Sequence, residues 1–167
     1  MRQDLAGALR KHHDDIVHAW TALLHELPDS RFRERPLPEL RRTTSEFLRA
    51  TVNALAEESY AELEDFVERA SEIRFRMGFE IHEWIEGLLS FKEAAWTFVE
   101  QEFRRSPPPG SRGGGQRGRA ASAGDALVSA SLELDALLKW VISGSLRRYS
   151  DKLKAAACGE GSGSGAS

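Results

Sequence analysis

Five histidines, His12, His13, His18, His25 and His82, are the side chains of this chain best suited to holding a metal or a haem iron. His18 and His25 share a helix face seven residues apart, whereas a metal pair on one helix is better served by a spacing of four. No cysteine or Glu-x-x-His set completes a shell, so solvated histidines are the plain reading and no metal or cofactor is expected. His82 stands alone near the start of a long helical pattern. It is the one alternative haem ligand, in the manner of a proximal globin histidine, and its plain reading is a surface residue at a helix end.

Other chemistry has less to stand on. Glu57, Glu58, Glu62, Glu64, Glu68 and Glu72 are spaced to decorate outer helix faces, where charges three or four apart favour solubility, and they do not form a catalytic pair. No Gly-x-Ser-x-Gly elbow is present. Gly113-Gly-Gly-Gln-Arg-Gly lacks the strand, lysine and hydroxyl that a phosphate loop needs, so the chain is read as not an enzyme. Arg104, Arg105, Arg112, Arg117 and Arg119 crowd one stretch with no acid before Asp125, yet no aromatic lies between Phe103 and Trp140 to stack on bases. With a net charge of −3, neither nucleic acid nor a membrane surface is an expected partner. Trp20, Trp84, Trp96 and Trp140 each fall on a helical stripe, where they serve the core first and offer possible pocket lining second.

The elements that must carry these residues are helices. Helix one is expected over about Asp4 to Leu27, helix two from Pro38 to about Ser59, helix three over Ala61 to Met77 and helix four over Ile81 to Arg104. Asp125 opens a fifth helix with a near-3.5 apolar period, as in a bundle seam. No stretch alternates with period two. The expected fold is all-α, a single domain over 1–156 of about five helices in bundle or globin-like packing, interrupted by a disordered Pro/Gly/Arg loop at about 105–123. Residues 157–167 have the composition of a flexible linker or tag remnant. A lone cysteine, Cys158, excludes a disulfide framework, and no apolar run suggests a signal peptide or a membrane span. A cytoplasmic setting is therefore expected.

The most specific stretch is the junction of helices three and four. Arg74-x-x-x-Gly78-Phe79-x-Ile81-x-Glu83 leads into Leu88-Leu-Ser-Phe-Lys92-Glu-Ala-Ala-Trp96, with Gly78 as stop or kink between two amphipathic patterns. Together with Ile16-Val-His-Ala-Trp20 in helix one and Leu134-Asp135 in a closing helix that ends near Tyr149, it resembles the amino-terminal domain of RsbT co-antagonist proteins of the RsbRD type, over about residues 5–153. That resemblance implies a helical sensory input module of bacterial stress-response or two-component regulators, placed ahead of a downstream signalling domain that this chain does not contain. No His-Glu-x-x-x-x-Pro phosphoacceptor box occurs. Related RsbR input domains look like globins that hold no haem, which counts against His82 as a ligand. The expectation is a non-enzymatic sensor in which helix four switches packing when a small ligand or partner binds, with a plain helical protein-interaction scaffold as the alternative beside the His82 haem sensor. Arg74, Gly78, Phe79, Trp84 and Lys92 are the expected coupling residues. The seams of helices one and five would form a homodimer interface.

Overall fold

The computed structural model describes the backbone of residues 1–105 and 116–159, and the side chains of these except 116–123 and 159. Among the described residues there are six α-helices, one 3-10 turn and no strand. In chain order they are α1 (Arg2–Lys11), α2 (His13–Glu26), the 3-10 turn Arg31–Glu34, α3 (Leu37–Glu57), α4 (Ala61–Arg76), α5 (Ile81–Arg105) and α6 (Gln116–Gly159). The fold class is all-α, as the apolar periodicity requires, and no described helix is long and apolar enough to cross a membrane.

Local chemistry accounts for most of the boundaries. Pro38 occupies the first turn of α3, where its missing N–H costs nothing, and the helix stops at Glu58 in the left-handed conformation with φ 54°. Helix α4 begins with Glu62 and Glu64 and ends with Arg74 and Arg76, a charge order that complements the helix dipole.

Two expectations need correction. Helix one is two helices, because the chain bends at His12 (φ −103°, ψ 22°). No glycine or proline marks the bend. Tertiary capture explains it: the His12 ring stacks on Phe98 at 5.6 Å and bonds Glu102 through Nε2 at 3.2 Å, which pins the bend to α5 while α1 and α2 both pack on α3 and α5. The second correction concerns the loop at 105–123. Arg105 closes α5, and the backbone from Gln116 onward is already α6. Ala120, Ala121 and Ala123 are strong helix formers, and extending a helix already nucleated downstream costs little. Residues 106–115 of the expected loop, and 160–167 of the tail, lie outside the described residues.

The core centres on Phe47 of α3, which meets Trp20 (5.2 Å between ring centroids), Phe66 (5.4 Å) and Phe91 (5.1 Å), mostly edge to face. Helix α5 is the central element, packed against α1, α2 and α6. Leu134, Leu137, Leu138 and Val141 seat α6 on α4 and α5. The apolar stripe of α1 and α2 is consumed by this core, with Leu5, Leu9, Ile16 and Trp20 all buried. Helix α6 differs: Val128, Leu132, Leu146 and Leu153 stay exposed, as does Leu89 of α5.

Candidate functional site

The junction motif folds into a corner. Gly78 has φ 73°, a backbone state that a side chain opposes. Its N–H donates to the Phe75 carbonyl and the Phe79 N–H donates to the Arg74 carbonyl, both at 3.0 Å, which together make a Schellman cap on α4. Helix α5 then starts with half of a capping box. Glu83, at the third helical position, accepts the Glu80 N–H through Oε2 at 2.7 Å. Its other oxygen accepts the Arg31 N–H at 2.8 Å, so this buried carboxylate also ties the 3-10 turn to the corner.

Arg74 sits at the centre with 3% exposure. Its guanidinium lies 4.9 Å from the Phe79 ring centroid and 5.2 Å from that of Phe32, and those two rings meet edge to face at 4.9 Å. Glu39 of α3 approaches to 3.6 Å, beyond a full-strength hydrogen bond, and Met77 Sδ is 3.9 Å away. Burial pulls the Arg74 pKa below its ordinary value, with the Glu39 charge opposing that shift. An arginine keeps its charge even so. A buried cation flanked by two rings and approached by one carboxylate therefore joins α3, α4, the α4–α5 junction and the 3-10 turn. Nearby, burial pushes the Tyr149 phenol up to about 12, with the Arg74 charge opposing the shift and Glu83 adding to it; its hydroxyl is buried without a partner among the described residues.

The expected coupling residues divide into two groups. Arg74, Gly78 and Phe79 meet at the corner, and Trp84 borders the same interior, its indole N–H donating to Ser145 Oγ on α6 at 3.0 Å. Lys92 lies apart. Its ammonium pairs with Asp135 at 2.6 Å, which brings the second and third motifs of the sequence together across α5 and α6. Among the four tryptophans, Trp20 and Trp84 border a cavity of about 10 Å³, about the space of one water. Trp20 donates to the Gly87 carbonyl at 2.9 Å and to Ser90 Oγ at 3.0 Å. Trp96 is half-buried outside that cavity, and Trp140, 39% exposed, rests on Tyr60. His82 is exposed, paired with Glu80 at 3.2 Å, and borders an open groove with Asp29, Glu34 and Glu83, a polar setting rather than an apolar slot for a macrocycle. No group of histidine, cysteine and carboxylates suited to a metal occurs among the described residues.

Phe32, Glu39 and Gly87 were not singled out by sequence. A signal existed for two of them: Gly87 interrupts an amphipathic helix, and Phe32 is a lone large apolar residue among Arg31, Arg33 and Glu34. In the fold they meet, because a Cβ on Gly87 would stand 2.7 Å from the Phe32 ring.

No curated protein and no solved structure matches this chain. Residues 14–158, which contain the corner, the α5 motif and the Lys92–Asp135 pair, match the family of the RsbT co-antagonist protein rsbRD N-terminal domain, and the chain belongs to that family.

Proposed function

We propose that the chain is a non-enzymatic signal-input domain of a bacterial stress-response or two-component regulator. It receives a small ligand or a partner and passes the event on through helix repacking to a downstream output domain. Membership of the rsbRD N-terminal family supports the signalling role. The Arg74 corner is the observation that carries the mechanism. A buried cation is strongly sensitive to its partners, and here one side chain depends on Phe32 of the 3-10 turn, Phe79 of the α4–α5 junction and Glu39 of α3. Exchange of the Glu39 contact for another anion would alter how α4 and the 3-10 turn bear on α5, the bistable element of this scheme.

The exposed apolar residues Val128, Leu132, Leu146 and Leu153 of α6, with Leu89 of α5, support a homodimer in which these helices face their symmetry mates. The seam of α1 and α2 takes no part, being buried in the core. The signalling role is tested by joining the native downstream domain and substituting Gly78→Val, which opposes the positive φ of the corner. The output should change. An unaltered output from a variant with an intact fold refutes the switch.

A further inference from the structure

We propose that the groove between α3 and α4 binds a small amphiphilic monocarboxylate whose head group takes Arg74; this deepens the signal-input reading and rests on it. The groove holds about 180 Å³, below the range of drug-sized pockets and suited to a compact ligand. Arg42, Arg69 and Arg74 border it with Glu39 and Glu46, three cations against two anions, in a chain whose net charge is −3. Both carboxylates already have an arginine of their own. Glu46 is bonded by Arg69, and Glu39 by Arg35 through two nitrogens. Beyond its two ring contacts, Arg74 has among the described residues the 3.6 Å approach to Glu39 and the Met77 sulfur, although a guanidinium can offer a planar fork of N–H donors.

A carboxylate is the group that matches such a fork with two parallel hydrogen bonds, and an excess of one positive charge suits a monoanion better than a phosphate dianion. The rest of the groove defines the other end of the ligand. Phe66, Ala70 and Ile73 form an apolar wall, and Ile73, 52% exposed, has no core role that would explain a large aliphatic side chain at that position. Thr43, Phe66 and Arg74 border both this groove and the small cavity beside Trp20, Phe32 and Trp84, so a ligand on Arg74 touches the wall that separates surface from core.

The experiment titrates the whole chain with sodium hexanoate at constant ionic strength and follows the backbone amides by two-dimensional NMR. Hexanol and hexylammonium serve as probes of equal length without the anion. Saturable shifts centred on Phe66, Ala70, Ile73 and Arg74, with the two control probes about tenfold weaker or more, support the assignment. Ile73→Glu, at an exposed site that leaves folding intact, places an anion on the apolar wall and should weaken hexanoate by about tenfold. Equal binding of hexanol, shifts that map elsewhere, an unchanged affinity in Ile73→Glu, or no hexanoate binding each overturns it. Loss of hexanoate binding alongside a Gly78→Val response removes the ligand and leaves the corner switch standing; hexanoate binding with no Gly78→Val response does the reverse.

Discussion

Replacing Gly87 by alanine tests whether the corner is held by close packing of the 3-10 turn on α5. The new methyl carbon would stand 2.7 Å and 2.8 Å from two ring carbons of Phe32 and 3.3 Å from a Leu24 methyl. Phe32 is 1% exposed, and its ring is already engaged by Phe79 and the Arg74 guanidinium, so it has little room to withdraw. Overpacking of this kind costs about 1–3 kcal/mol. Alanine returns about 1 kcal/mol as the better helix former, which obscures the clash if Gly87 is studied alone. Gly7 in α1 supplies the reference, since nothing lies within 4 Å of a Cβ built there and Gly7→Ala collects the helix gain only. The two variants should therefore differ in unfolding free energy by about 1–3 kcal/mol, with Gly7→Ala about 1 kcal/mol above the parent and Gly87→Ala between level with it and about 2 kcal/mol below. Urea unfolding followed by circular dichroism reads this directly; in thermal melts each kcal/mol corresponds to about 2–4 °C for a chain of this size. In a Phe32→Leu background the Gly87→Ala penalty should shrink, because the atoms it meets are gone. Equal stabilisation by the two alanines would refute the packing argument.

Four further outcomes follow from named contacts. Gly78→Ala should lose about 1 kcal/mol in the same unfolding assay, since φ 73° is strained for any residue with a Cβ; a neutral effect contradicts the Schellman geometry. Tyr149→Phe should keep or raise stability near neutral pH, because its hydroxyl has no partner to lose. The Tyr149 pKa is raised from 10.0 to about 12, so the neutral form favours folding, an advantage fully present below pH 10 and lost as pH rises towards 12. The parent should therefore fall away from Tyr149→Phe across that window, the gap between the two stability curves widening, and parallel curves contradict the burial. Lys92→Ala should cost less than about 1 kcal/mol, as the Asp135 pair is partly exposed, and a double-mutant cycle with Asp135→Ala measures it. Leu132→Arg with Leu146→Arg should turn a dimer into a folded monomer by light scattering, whereas a parent that is already monomeric removes the proposed interface.

Most of the helical framework was legible because its ends carry local signals: Pro38 opens α3, and Gly78 separates α4 from α5. The bend at His12 left no mark, since Lys11-His12-His13 is neutral in helix chemistry and the bend follows from Phe98 and Glu102, about ninety residues away. The same distinction runs through the site. Arg74, Gly78, Phe79 and Glu83 belong to one continuous motif and could be read together. Phe32, Glu39 and Gly87 complete the arrangement only through tertiary contacts, for which a single chain supplies spacing but not partners. Lys92 could be singled out by motif, but only the antiparallel passage of α6 shows that its counterpart is Asp135.

Helix α6 spans 44 residues, and its side chains from Leu153 to Cys158 are all exposed past the last turn that leans on α4. Any domain joined in helical continuity to that end would be indexed by it like the hand of a dial. One inserted residue would rotate the attachment by about 100° and advance it about 1.5 Å, so a family of single-residue insertions would sample the angular phases at which a message is delivered.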